Sequence, residues 1–202
     1  MNVLIIGNAE ETERFVRRFP ELRILENGGD EDLIVCFPGG KLPNNGIKCP
    51  VLTDVTYSSL SEWNNGQHEL SLLIGFSSLP TFLERDILEI SLFRNEMLSD
   101  TGILMEKLKT DFRIVKDQTA LVSPRVIAMI INEAFMTAED GTASREDIDT
   151  AMKLGTNYPL GPFEWAEKIG IQCVFNLLSA LYKETGDVRY LPSELLANEA
   201  AH

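Results

Sequence analysis

The sequence predicts an α/β sheet domain followed by an all-α domain, and two changes of texture along the chain predict it. Over residues 1–118 short β-type runs alternate with helical stretches, the pattern of a sheet whose crossovers lie on its faces. Over residues 119–202, from about Val122 onward, the pattern becomes helical throughout, with clear start and stop signals. At 202 residues and 44% apolar side chains the chain has the material for a buried core in each part.

Taken in order, Val3 to Ile6 reads as a buried strand and Glu11 to Phe19 as a helix. Strands then follow at Leu22 to Leu25, Leu33 to Phe37, Val51 to Val55, Leu70 to Phe76, Ile87 to Phe93 and Phe112 to Val115. Their continuous apolar character suits strands covered on both faces. Met97 to Leu108 is a second helix, while Pro38-Gly-Gly and Pro43-Asn-Asn-Gly46 are loops. The segment Asn27 to Asp32 is too short for a crossover helix, so the sheet is abbreviated. Beyond Val122, Ile127, Ile130, Ile131, Ala134, Phe135 and Ala138 share one helical face, and Gly141 stops that helix. Ser144-Arg-Glu-Asp147 starts the next, which Gly155 ends. Gly161-Pro162 opens another, closed by Gly170, and Val174, Leu177, Leu178 and Leu181 stripe a last helix that Gly186 closes.

Acidic residues outnumber basic ones 31 to 18, a net charge of −13. Such a surface repels polyanions, so nucleic-acid binding is not expected. Cys36, Cys49 and Cys173 are an odd, scattered set without CxxC or a histidine at ligand spacing, which predicts neither disulfides nor a metal site and implies a reducing, cytoplasmic setting. No apolar run reaches the length of a membrane span, and Met1-Asn2 lacks the basic start of a signal peptide.

The run Ile148-Asp-Thr-Ala-Met-Lys-Leu-Gly-Thr-Asn-Tyr-Pro-Leu-Gly-Pro-Phe-Glu-Trp-Ala-Glu-Lys-Ile-Gly170 resembles the C-terminal domain of the 3-hydroxyacyl-CoA dehydrogenases. Asn132-Glu-Ala before it and Leu181-Tyr-Lys-Glu-Thr-Gly-Asp187 after it fit the same family in order and spacing. The resemblance is strong over residues 112–195 and weak before them. It implies an abbreviated Rossmann-like domain ahead of a helical domain that packs on a partner subunit, NAD as cofactor and an acyl-CoA as ligand. Within the run, Gly161 allows a close backbone approach, and Tyr158 and Glu164 stay open between structural and ligand-contacting roles.

The family's Gly-x-Gly-x-x-Gly turn corresponds here to Gly7-Asn-Ala-Glu-Glu-Thr12, which keeps only the first glycine. Gly7 and Asn8 are the candidate cofactor contacts at the turn, and Glu26 sits where an acid would bond the adenine ribose. Ala9 adds a methyl, and Glu10 and Glu11 place negative charge where a phosphate would lie. The family reaction, oxidation of a 3-hydroxyl by hydride transfer, uses a Gly-x-His-Phe-x-Asn-Pro strand end with a Glu about twelve residues on as base and orienter. The corresponding run is Leu72-Leu-Ile-Gly-Phe-Ser-Ser-Leu-Pro80, with Ile74 read at the histidine's place and Asp86 and Glu89 as candidate carboxylates. His68 and His202 are too remote to substitute, so no catalytic residue is assigned.

Thr56-Tyr-Ser-Ser-Leu-Ser61 resembles the family's Asn-Thr-Ser-Ser-Leu, which makes Ser58 either a substrate contact or a helix cap. Pro124-Arg125 replaces an Asn-Arg pair, leaving Arg125 as a ligand contact or a surface charge. The expected function is that of a 3-hydroxyacyl-CoA dehydrogenase family protein impaired in catalysis, a pseudoenzyme. The alternative is a non-catalytic module that dimerises or associates with acyl-CoA enzymes of fatty acid metabolism. A homodimer through the helical domain is expected because the stripes at Ile127 to Ala138 and Val174 to Leu181, with Phe163 and Trp165, need cover.

Overall fold

The computed structural model describes residues 1–43 and 46–202, so Asn44 and Asn45 of the expected Pro43-Asn-Asn-Gly46 loop lie outside the described residues. The chain divides into two units, residues 1–78 with 82–122, and residues 123–202 with 79–81.

The first unit runs β1 (Asn2–Ile6), α1 (Ala9–Arg18), β2 (Arg23–Leu25), β3 (Leu33–Cys36), β4 (Val51–Asp54), α2 (Leu60–Asn64), β5 (Leu73–Phe76), β6 (Ile87–Leu92), α3 (Leu98–Lys107) and β7 (Asp111–Val115). The strands form one sheet in the order β2-β1-β3-β4-β5-β6-β7. All neighbours are parallel except the antiparallel pair β5 and β6. The short link between β2 and β3 works because β2 ends level with Leu4 and β3 begins level with Val3. The chain must therefore cross only the end of β1, not travel back along a full strand.

Alternation of side chains gives the sheet two cores. Leu33, Val35, Leu52, Ile74 and Phe76 face α1 and α3, packing with Phe15, Phe37, Leu104 and Met105. Ile34, Cys36, Val51, Val55 and Leu73 face the other way, covered by Leu60, Leu70 and Leu121. The fifth strand is shorter than the expected Leu70 to Phe76: Leu70 and Leu72 are buried but precede its ladder. Gly75 is required at its centre, where a Cβ would overlap the Ser91 hydroxyl and Val55.

The second unit comprises α4 (Ser123–Glu139), α5 (Arg145–Thr156), α6 (Pro162–Ile169), α7 (Ile171–Thr185) and α8 (Glu194–Ala200). The apolar stripes of α4 and α7 are covered inside this unit: Ile131, Phe135, Val174, Leu177, Leu178 and Leu181 are all at most 1% exposed. Asn132 crosses the unit from α4, donating to the Leu191 carbonyl at 2.8 Å and accepting from the Ser193 amide at 2.9 Å, which fixes the start of α8. Asp149 of α5 caps α6 by accepting from the Phe163 amide at 2.8 Å and the Glu164 amide at 3.2 Å. A Cβ at Gly161 would overlap that Asp149 carboxyl, so glycine is needed for the approach.

One expected boundary is corrected and one helix is added. Gly155 does not stop α5; the helix continues through Thr156 and ends at Asn157, which takes the left-handed conformation with φ 57°. Asparagine tolerates that region better than most residues, so it can end a helix where a glycine is expected. Helix α8 was not anticipated, because seven residues give too short a window for periodicity. Its signal is local: Ser193 caps it, accepting from the Leu196 amide at 3.1 Å.

Candidate functional site

In an open parallel sheet, ligands bind beyond the carboxyl ends of the strands. Here that edge is formed by Gly7 after β1, Phe37 after β3, Asp54 to Thr56 at the end of β4 and Phe76 to Ser78 at the end of β5.

At the first turn, the Asn8 side chain accepts from the Glu11 amide at 2.9 Å, and the Glu11 carboxylate accepts from the Asn8 amide at 2.9 Å. This capping box satisfies two of the amide donors that a helix N-terminus otherwise offers to an anion. A Cβ on Gly7 would lie 2.7 Å from the Phe37 ring and 2.8 Å from Glu11 Oε2. The turn is thus filled by the chain's own carboxylate and by an aromatic ring that is 1% exposed. These residues do not fit a dinucleotide pyrophosphate: its charge would meet the Glu11 carboxylate, which already takes the Asn8 amide hydrogen. Asn8 is a helix cap, and Glu26 is exposed just after β2.

The ends of β4 and β5 carry a hydroxyl and carboxylate network that the sequence reading did not identify. Asp54, 5% exposed, accepts from the Thr56 amide at 2.8 Å, the Thr56 hydroxyl at 2.9 Å and the Ser78 amide at 2.7 Å. Burial pushes its carboxyl above the usual carboxylate range, and the hydrogen bonds from Ser78 and Thr56 pull against that rise. The Thr56 and Ser77 hydroxyls are 3.0 Å apart. This network also corrects the position read for the missing imidazole. Ile74 is a fully buried residue within β5 and precedes Gly75. A Gly-x-His pattern counted from Gly75 places its third residue at Ser77. Glu89 then falls twelve residues on from Ser77. With Phe76 paired to Ile90 and Gly75 to Ser91, the register carried one residue further sets Ser77 across from Glu89. Of the two candidate carboxylates, Glu89 is therefore the one at this edge, and it accepts from the Val122 amide at 3.2 Å. Asp86 is exposed ahead of β6.

Ser58 is half-buried in the turn before α2, and the cap of that helix is Ser59, which accepts from the Glu62 amide at 3.2 Å. The capping alternative for Ser58 is thereby removed. Asp117 supplies further acceptors to the same helix start, 2.8 Å from the Leu60 amide and 3.3 Å from the Ser61 amide.

In the helical unit, Pro124 lies in the first turn of α4, where a missing amide hydrogen costs least. Arg125 is half-buried, its guanidinium carbon 5.8 Å from the centre of the Tyr190 ring. Both line an apolar groove of about 480 Å³ with Val126, Met129, Ile130 and Met152. Glu164 has a structural role: it accepts from Lys153 at 2.5 Å and from the Gly161 amide at 2.9 Å, which hold its carboxyl below the usual range. Tyr158 packs on Trp165 with ring centres 5.4 Å apart. Among the described residues no group of His, Cys, Asp and Glu could hold a metal ion, and no helix is long and apolar enough to cross a membrane.

Residues 121–201 match the family described as 3-hydroxyacyl-CoA dehydrogenase, C-terminal domain. The 3-hydroxyadipyl-CoA dehydrogenase of Escherichia coli (strain K12) is 43% identical over 97 residues, covering 48% of this chain and 20% of that protein. A probable 3-hydroxybutyryl-CoA dehydrogenase of Bacillus subtilis (strain 168) is 28% identical over 162 residues, 80% of this chain and 54% of that protein. The chain thus spans between a fifth and about half the length of these curated relatives. Among solved structures, the (S)-3-hydroxybutyryl-CoA dehydrogenase PaaH1 of Ralstonia eutropha superposes with a TM-score of 0.73 at 19% identity, covering 99% of this chain and 93% of that one. That likeness shows the fold, a Rossmann-type sheet unit with a helical unit after it.

Proposed function

We propose that the chain is a member of the 3-hydroxyacyl-CoA dehydrogenase family, whose C-terminal domain residues 121–201 match, and that it binds an acyl-CoA thioester without carrying out the family's NAD-dependent hydride transfer. What supports this reading is that a Gly-x-His pattern counted from Gly75 puts Ser77 in the imidazole's place. A serine bonded into the Thr56 and Asp54 network has no group that accepts a proton at neutral pH, and loss of a general base typically removes about 10² to 10⁴ in rate. The capping box of Asn8 and Glu11 supports the same reading, because it leaves NAD without its phosphate site. Ser58 is the proposed contact to the thioester's acyl part.

Titrating the protein with acetoacetyl-CoA by calorimetry, and with NADH by fluorescence in the presence and absence of that thioester, tests the reading. Thioester binding without NADH consumption is expected. Rapid NADH oxidation by the pure protein would overturn it. Ser77→His alone is expected to leave the protein inactive, since the Glu11 carboxylate still occupies the cofactor turn; a large gain in turnover would show the turn to be open.

We propose further that the helical unit pairs with a second copy through the groove beside α4, where Val126 is 49% exposed and Met129, Ile130 and Tyr190 are only partly covered. The three thiols are unpaired, which supports a reducing, cytoplasmic setting for this assembly.

A further inference from the structure

We propose that the outer edge of β7 pairs with the same edge of a second copy, antiparallel and centred on Phe112, so that the two sheets run together as one. The inference concerns the sheet unit alone and is independent of thioester binding. β7 ends the sheet and, among the described residues, pairs only with β6. Its outer side therefore offers backbone donors and acceptors that no other strand takes up. Along the strand, alternate residues turn to opposite faces. Phe112 and Ile114 lie level with Leu88 and Ile90, on the face that α1 and α3 cover, and Asp111 and Arg113 lie on the other. Asp111, Arg113 and Ile114 are exposed, Ile114 by 43%.

Charge along this edge selects both the occupant and the register. A two-fold axis normal to the sheet brings identical strands together antiparallel and keeps each face on its own side. Centred on Phe112, the pairing sets Asp111 opposite the second copy's Arg113 and Arg113 opposite the second copy's Asp111, two opposite-charge pairs from one contact. Centred on Arg113, it would set two guanidiniums against each other. In a single copy Arg113 donates to the Phe112 carbonyl at 3.0 Å, and Asp111 takes part in no ion pair of the described residues. The apolar face agrees with the same register. It sets Ile114 opposite the second copy's Thr110, which lines a groove of about 560 Å³ with Gly102, Met105 and Phe112. Gly102 stands in the middle of α3, where glycine weakens a helix relative to alanine. A Cβ there would meet nothing within 4 Å, so packing inside one copy does not call for glycine. Its missing side chain leaves the room that an incoming isoleucine takes. Each copy thus carries both the exposed apolar side chain and the opening that receives it. One five-residue strand from each side is a smaller contact than stable dimers make, which places the association at high micromolar concentration.

Sedimentation velocity of the whole chain carrying Val126→Asp, which takes the separate groove beside α4 out of the comparison, tests this from about 5 to about 500 µM. The mass is expected to rise across that range from one chain of 22.6 kDa toward two. Adding Asp111→Arg or Arg113→Asp sets like charges opposite each other in both pairs and is expected to weaken association at least about tenfold. Mixing those two variants is expected to restore it, because each supplies the charge the other lacks. Gly102→Leu fills the groove and is expected to weaken association by about the same factor while melting no lower than its parent. Thermal melting checks that every variant is folded. A single mass at all concentrations, with the edge left to water or to a strand of other sequence, overturns the proposal. Association indifferent to the charge substitutions, or a mixture no stronger than its components, overturns it as well, and neither result bears on thioester binding.

Discussion

Asp54 sits among donors only, which makes it the residue whose chemistry can be read most directly. Asp54→Asn would turn an amide NH₂ toward one of the amide hydrogens now accepted, and is expected to destabilise the fold by about 2 to 4 kcal/mol, measured by urea denaturation at pH 7. The same residue shapes the response to pH. Because burial raises its folded carboxyl above the unfolded value, the folded state holds the proton more tightly. Its contribution to stability is then greatest below the ordinary carboxylate range and declines as pH rises toward its own folded value. Asp54→Asn should remove that part of the decline, so the difference in stability between the two proteins narrows at higher pH from this linkage alone. A second residue-scale expectation concerns Cys36, which burial pushes up to about 11. In the folded protein it should resist iodoacetamide at pH 8 while unfolded protein reacts at all three thiols, as peptide mass analysis would record. Thr56 and Ser77 each fall in a run that the sequence singles out, but their meeting with Asp54 was not legible there, since only the pairing of β4 with β5 brings the three together.

Helix ends were the most readable elements, because their signals are local. Ser144 accepts from the Asp147 amide at 3.2 Å as its spacing predicts, and Gly141, Gly170 and Gly186 stop their helices at φ 67°, 94° and 67°. The same locality explains the misses. Gly155 has the composition of a stop, but its position inside α5 leaves open space around it and the helix runs on to Asn157. Gly161 is the element-scale position with a measurable consequence. Gly161→Ala would drive a methyl into the Asp149 carboxyl that caps α6, and is expected to cost about 2 to 4 kcal/mol, well above the effect of Gly155→Ala, which adds a methyl into open space in a helix and should stabilise slightly. A pair of thermal melts separates them; equal effects would mean that the α5 to α6 contact yields easily.

At the scale of the whole molecule, the apolar stripes that predicted a dimer are consumed inside the helical unit. Leu178 is fully buried there, so Leu178→Asp should unfold the unit, losing on the order of 4 kcal/mol or more, and says nothing about an interface. The surface proposed for pairing is the groove beside α4, and Val126→Asp is the informative substitution, since an exposed helical position tolerates it within about 0.5 kcal/mol. Light scattering at micromolar concentration is expected to give twice the 22.6 kDa chain mass for the unmodified protein and the single mass for Val126→Asp. A single mass for both would remove the homodimer.

By itself the sequence determined most of the strands and helices and the likeness of residues 121–201 to the C-terminal domain of the 3-hydroxyacyl-CoA dehydrogenases, because periodicity, caps and a long matching run from Ile148 to Gly170 are properties of neighbouring residues. It also exposed the altered turn at Gly7, since a missing glycine is visible without coordinates. Only the tertiary structure decided that the Glu11 carboxylate occupies that turn, that Ile74 is paired with Leu92 inside the sheet, and that the helical stripes face one another. The reason is the same in each case: register across an antiparallel pair, the approach of a side chain from another strand and the satisfaction of a buried carboxylate depend on residues far apart in the chain.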